Sequence, residues 1–452
     1  MASVKIEDSS PATKTAIREL VPQYRSNTAV LLGDSLTTLC QYNNAGTFYR
    51  VNPRGWIVHT MAKLNGRMRV LDISAVNGDK IADAKLRIPG IILKKPAYCV
   101  CMVAVNDAHV WVDAQGYIDA WVEYRDEILE PLIRAGITPV ACTISPSDSV
   151  NTAIRKTGWH YFNNRLRDYN LNSRSTVLAD LAANTYADPA NGTAPQPAFM
   201  VDAVHPNVNG AELIGDEVAR ALAPAQFEAV TNGSSEGDEF NFSTLNGCVF
   251  DSSKTSGGLS GTPTATGISP TGWTFSGLST NATGITVSGA IVPSVDSGMD
   301  WFEGTISGTG MSGQTNLAWS LNGGTRPIAD LIPGDWVEFG FDYEVTALND
   351  TAPSAGLMAI TAAIRFFNNT TGFSINYFPR ALNGEQNLMN AQDYKSIRST
   401  PFLVPQGTTD MRLSLEVRHQ GSQTDVSSTV KMRNSFIRKI DGFDPNNTII
   451  QP

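Results

Sequence analysis

The chain is poor in cysteine and histidine, with five of each in 452 residues, and only 17% of its residues are charged. The cysteines, Cys40, Cys99, Cys101, Cys142 and Cys248, are too few and too apolar in setting to staple a disulfide scaffold. Cys99 and Cys101 stand two apart in AYCVCMVAV, on one face of a strand, and read as buried thiols. Positive charge is also in deficit. A formal net charge of -9 leaves no basic footprint for nucleic acid. No stretch reaches the roughly 18 consecutive apolar residues of a membrane helix. The opening MASVKIEDSSPATKT lacks the apolar core of an export signal. His59, His109, His160 and His419 show no metal-ligand spacing, so neither a metal nor a cofactor is expected.

What is present is enough apolar content, 42%, for sizeable cores in two or three domains. The chain changes character near residue 231. Before it, the strand-like runs NTAVLLGDSL, MRVLDISAVNGD, YCVCMVAVND and GITPVACTISPSD alternate with helical patterns, and a short segment near TVLADL follows them. In YIDAWVEYRDEILEPLIRAG, residues Ile118, Trp121, Val122, Ile128, Leu129, Leu132 and Ile133 share a helical face, and Pro131 removes one amide donor near its end. A second helix is expected over about 151–169, and NGAELIGDEVARALAPAQF forms the last. This order predicts a three-layer α/β fold, a mostly parallel sheet with helices on both faces.

From 231 to about 325 the chain is rich in Gly, Ser, Thr and Asn, punctuated by Phe240, Phe250, Trp273, Phe275, Trp301 and Trp319 as possible anchors of short strands. Further on, Val337, Phe339, Phe341, Tyr343 and Val345 alternate with Trp336, Glu338, Gly340, Asp342 and Glu344, a strand with one packed face. Met411, Leu413, Leu415 and Val417 repeat the pattern. The expectation is an N-terminal extension at 1–25, an α/β domain at 26–230, and an all-β sandwich or jelly roll at 231–452. Acidic and basic residues number 23 and 22 through residue 230, then 20 and 12, so the β-rich part carries nearly all the net charge. Lys431, Arg433, Arg438 and Lys439 read as exposed charges blunting a strand edge.

The candidate chemistry lies at strand ends. In VLLGDSLTTL, Gly33 permits a tight turn and Ser35 emerges at the carboxyl edge of the sheet, where open α/β folds place ligands. Ser35 is then either a nucleophile or the cap of the following helix. In DAVHPNVNG, Asp202 is close enough to accept a proton from the His205 ring, which would turn its other nitrogen toward Ser35; a loop pair or part of a metal site is the alternative. Gly78, in SAVNGDKI, offers a backbone amide without side-chain obstruction, and Asn106, in VAVNDAHV, a side-chain donor to an oxyanion. Asp34 and Asp107 shape turns, while Arg54 and Trp56 are candidates for the mouth of the site.

The ordered set, Gly33-Asp34-Ser35-Leu36, Gly78, Asn106 and Asp202-x-x-His205, resembles the SGNH hydrolases, also called GDSL esterases, over about residues 26–225. The resemblance implies a flavodoxin-like sheet with Ser35 as nucleophile and Asp202 and His205 as its base pair. It also implies an oxyanion hole of the Ser35 amide, the Gly78 amide and the Asn106 side chain. Ala104 departs from the family's Gly-x-Asn-Asp, and its extra methyl narrows a subsite or shifts Asn106. Such enzymes hydrolyse carboxylic esters. The appended β domain resembles carbohydrate-binding jelly rolls, with Trp301, Trp319, Trp336, Tyr377 or Phe378 as sugar-stacking candidates. The combination also resembles bacteriophage tail-spike or tail-fibre deacetylases, implying an O-acetylated surface polysaccharide as substrate, an extracellular or virion-associated location and a homotrimer. The other readings are a small-ester or lipid esterase and a non-catalytic glycan-binding structural protein.

Overall fold

The computed structural model describes residues 27–225, apart from 46–47, 53, 65–66 and 174. Beyond these it describes 259–261, 265–269, 273–277, 285–293, 300–308, 316–323, 326–327, 331–348, 357–367, 372–377, 394–420 and 426–439. The expected extension at 1–25, the change of character near 231, and Phe240, Cys248, Phe250 and Phe378 lie outside the described residues.

Five parallel strands form the α/β half: β1 (Thr28–Gly33), β4 (Arg69–Ala75), β5 (Tyr98–Met102), β6 (Thr138–Cys142) and β7 (Val177–Ala179), in the spatial order β4-β1-β5-β6-β7. Because helices cover both faces, β1 and β5 are buried along their whole length, which is why they read as unbroken apolar runs rather than alternating ones. Cys40, Cys99, Cys101 and Cys142 are buried free thiols, and the sulfurs of Cys99 and Cys101 lie 3.7 Å apart on one face.

The helix expected around Pro131 forms, with one difference. It runs as Ala114–Tyr124, a π turn at Arg125–Leu129 and Glu130–Arg134. The proline ring would crowd the carbonyl of residue 127, and the wider turn lies just ahead of it. The buried stripe is Tyr117, Ala120, Trp121, Tyr124, Ile128, Leu129 and Leu132, and Val122, expected on it, is exposed.

In the β-rich half, two sheets pack face to face. One runs Leu259–Gly261, Trp273–Gly277, Asn316–Gly323, Asp410–Gln420, Leu357–Phe367, Gly372–Tyr377, and the other Ala265–Gly267, Ile285–Val292, Trp301–Gly308, Val426–Lys439, Trp336–Leu348, Tyr394–Arg398. Pairing is mostly antiparallel. Phe275 and Trp319 from one sheet meet Phe302 from the other, with ring centroids 5.2 and 6.0 Å away. Trp319 and Trp301 are therefore core residues, Trp301 lying under the Arg433 guanidinium at 4.0 Å. Neither is open to a sugar.

Of the basic residues near 431–439, expected as exposed charges at a strand edge, Lys431, Arg433 and Lys439 are ion-paired and Arg433 is buried. Lys431 is paired on both sides, whereas 433–439 pair only with the neighbour Trp336–Leu348, and acids on or just before that neighbour lie opposite Lys431, Arg433 and Lys439. Lys431 meets Glu344 at 3.7 Å, buried Arg433 faces Asp342 at 4.0 Å, and Lys439 meets Asp335 at 2.9 Å. Alternation predicted one packed face for Trp336–Leu348. Its apolar face is fully buried as expected, but Glu338 and Asp342 on the other face are buried too. The reason for Glu338 is the α/β half: Arg69, at the start of β4, grips its carboxylate with two hydrogen bonds of 2.9 and 3.2 Å.

Two segments near the site interlock the halves. The hairpin β2 (Tyr42–Ala45) and β3 (Phe48–Val51) extends the first β sheet, β3 pairing in parallel with Gly372–Ser374. The helix Trp56–Lys63 is buried from Trp56 to Ala62, packed between the last helix, Val208–Leu222, and strand Tyr394–Arg398. With even His59 and Thr60 buried, the helix turns no face to water from Trp56 to Ala62 and has to be enclosed on all sides. Trp56, expected at the mouth of the site, is accordingly core, at 1% exposure.

Candidate active site

At the end of β1 the chain turns sharply into Ser35–Thr38. A Cβ on Gly33 would sit 2.1 Å from the Thr37 hydroxyl, so only glycine fits. Asp34 caps the turn, its carboxylate accepting from the Leu36 amide at 3.0 Å. Asp34, not Ser35, is thus the cap of this turn, and Ser35 is its first residue. Burial, with Asp107 and Asp79 nearby, pushes the Asp34 carboxyl up to about 7.

The Asp202–His205 loop arrives ahead of the helix Val208–Leu222, which Asn207 caps by accepting from Gly210 at 3.0 Å. Asp202 accepts the amides of Val204 and His205 at 2.9 and 2.8 Å and lies 2.9 Å from His205 Nδ1. Partial burial raises its carboxyl, but those two amides and the imidazole outweigh it and hold the group down to about 2. His205 Nε2 lies 2.9 Å from Ser35 Oγ.

Two further loops close the edge. Gly78 adopts φ +81, a left-handed conformation that glycine takes without strain, and a Cβ there would meet nothing within 4 Å. Next to it, Asp79 pairs with Arg87, which also donates to the Gly33 carbonyl at 3.0 Å, tying the Gly78 loop to the Ser35 turn. Asn106 Nδ2 donates to the Asp79 carbonyl at 2.9 Å. Ala104 adopts φ +83, the reason a glycine would suit this position. Asp107 accepts from the Ile81 amide at 3.1 Å, and burial raises its carboxyl to about 6.

Ser35, Gly78, Asn106, Asp202 and His205 line one open cleft of about 790 Å³. Arg54 lines it as expected, joined by Thr38, Gln41 and Asn77, which strand-end patterns did not single out.

Sequence patterns also missed a support behind the histidine loop. His109 Nε2 lies 3.0 Å from the buried Ser147 hydroxyl, which donates to the Ala203 carbonyl at 3.1 Å. Asp148 N donates to the same carbonyl at 2.9 Å. Burial, then the charges of Arg155 and His205, lower His109 to about 4, so its ring is neutral near pH 7. Among the described residues no group of three His, Cys, Asp or Glu suits a metal ion, and no helix is long and apolar enough to cross a membrane.

No protein-family model matches the sequence, and no curated protein is similar to it. Among solved structures, the chain is similar to a candidate acylhydrolase from Bacteroides fragilis, at 20% identity over 50% of this chain and 99% of that one, with a TM-score of 0.35. A GDSL-like lipase from Bacteroides thetaiotaomicron gives 15% identity over 48% and 98%, with a TM-score of 0.35. The catalytic domain of peptidoglycan O-acetyltransferase A from Streptococcus pneumoniae gives 17% over 44% and 94%, with a TM-score of 0.29.

Proposed function

We propose that the chain is a serine esterase of SGNH type that removes short acyl groups, O-acetyl above all, from a polar alcohol such as a glycan. The observation that carries this reading is the hydrogen-bonded line Asp202–His205–Ser35, with 2.9 Å at each link. An ionised Asp202 fixes the imidazole with its proton on Nδ1, leaving the Nε2 lone pair for the Ser35 hydroxyl.

Ser35 Oγ attacks the ester carbonyl as His205 takes its proton, giving a tetrahedral oxyanion. The Ser35 and Gly78 amides and the Asn106 side chain are the donors to it; one Asn106 N–H is spent on Asp79 and the second remains. Protonated His205 gives its proton to the leaving alcohol. It then takes a proton from water as the hydroxide adds to the acyl-enzyme, and returns it to Ser35 as the acid departs.

The cleft's lining supports a short acyl group. Its apolar side chains are Leu39, Ala75, Val76 and Val204, and among the described residues no aromatic or long aliphatic channel accompanies them for a fatty chain. About 790 Å³ far exceeds an acetyl group, leaving the rest for the alcohol.

Hydrolysis of 4-nitrophenyl acetate, butyrate and octanoate, with acetate release from an O-acetylated polysaccharide, tests the reading. Expected are turnover abolished in Ser35→Ala and kcat/KM falling with acyl length. Octanoate cleaved as well as acetate would point to a lipid esterase; turnover surviving Ser35→Ala would remove the nucleophile.

A further inference from the structure

Resting on that esterase reading, we infer that the alcohol portion of the substrate is anionic and that Arg54 pairs with its carboxylate or phosphate. Arg54 leaves a fixed turn between β3 and the helix Trp56–Lys63. Its backbone amide donates to the Asn52 side chain at 2.9 Å, and the Gly55 amide to the Asn52 carbonyl at 2.8 Å. A Cβ on Gly55 would lie 2.6 Å from the Leu39 carbonyl, so the turn is packed directly against the chain that follows Ser35.

The guanidinium itself has no carboxylate among the described residues. Arg69, Arg87, Arg167 and Arg220 each hold one, with Glu338, Asp79, Asp180 and Glu217. Among the described residues Asp202 is the one acid that lines the cleft, and its charge is already taken by the imidazole and two amides. Among the described residues, the wall that faces the substrate therefore carries one cation with no acid paired to it. A planar group with five donors is matched bidentately by carboxylate or phosphate oxygens, whereas a neutral hydroxyl accepts one weaker hydrogen bond and leaves the charge unbalanced.

Neighbouring groups suit the rest of an acidic sugar. Gln41 gives its amide protons to the carbonyls of Ile73 and Ala75, at 3.1 and 3.2 Å, which leaves its oxygen as an acceptor for a hydroxyl. Thr38, whose hydroxyl donates to the Ser35 carbonyl at 2.9 Å, is in side-chain contact with Asn77, whose amide carries both donor and acceptor atoms. Cation, acceptor and donor stand around the same cleft as Ser35.

The probes are a mono-O-acetylated methyl glucoside, the corresponding glucuronoside and the corresponding 6-phosphate, compared by acetate release. The native chain is expected to favour one anionic probe over the neutral one by roughly tenfold or more in kcat/KM, mainly through KM. Arg54→Gln should erase the preference and Arg54→Lys retain part of it. Which anion wins distinguishes carboxylate from phosphate. Equal kcat/KM for all three, no turnover of any, or a preference that survives Arg54→Gln overturns the inference. Ser35-dependent hydrolysis of 4-nitrophenyl acetate separates the failures: with it intact only the Arg54 assignment falls, and without it the esterase reading falls as well.

Discussion

The buried Ser147 hydroxyl donates to the carbonyl of Ala203, inside the loop that carries Asp202 and His205. A hydroxyl has one proton, so the contact with His109 requires the ring to donate from Nε2, which its neutral form can do. The pair acts by positioning. Ser147→Ala is expected to lower kcat about three- to tenfold with little change in KM, the loss of one hydrogen bond's worth of orientation. His109→Gln, which keeps a donor, should retain more activity than His109→Ala. Steady-state kinetics check both; an unchanged kcat in Ser147→Ala would show that the loop holds its place without this bond.

Ala104 holds a backbone conformation that costs a residue with a Cβ about 1–2 kcal/mol. Glycine removes that cost but loses more freedom on folding. Ala104→Gly is therefore expected to stabilise the chain by about 1 kcal/mol, read as a raised midpoint in urea. A lowered midpoint would mean that the methyl's packing outweighs the strain.

Arg69 and Glu338 join the two halves through a carboxylate with no exposed surface. Arg69→Ala takes a guanidinium from a buried charge and should destabilise by about 3 kcal/mol. Glu338→Gln in the same background should recover much of that loss, because the buried charge is gone. A double-mutant cycle in denaturant measures the coupling; additive effects would deny it.

Asp34 and Asp107 are raised to about 7 and about 6, first of all by burial. Between about pH 4 and these values the folded chain holds protons that the unfolded chain has released, so their contribution to stability is full below pH 4 and is lost as pH rises. Thermal midpoints should fall over this window in the native chain and fall less in Asp34→Asn, which keeps the acceptor for Leu36. A slope unaltered by Asp34→Asn would assign the pH dependence to other groups.

The parallel sheet and the strand-end loops were legible in the sequence because each depends on local pattern: apolar runs such as TAVLLG and YCVCM, and turn residues just beyond them. The structure brings Ser35, Gly78, Asn106, Asp202 and His205 to one edge. What local pattern could not show depends on distant partners. The hairpin Tyr42–Val51 pairs with a strand more than 300 residues away, and Trp56 is enclosed by the other half of the molecule. Charges at Glu338, Asp342 and Arg433 alternate as solvent-facing residues do, yet their cross-strand and interdomain partners bury them. Ser147 and His109 sit in loops whose meeting is set by tertiary packing.

Covalent labelling tests the central claim most directly. With an excess of a fluorophosphonate, intact mass and peptide mapping should show a single adduct on Ser35, formed at least a hundredfold more slowly in His205→Ala because the base is gone. No adduct on the native chain, or equal labelling of Ser35 in His205→Ala, would contradict the activation of Ser35 by His205.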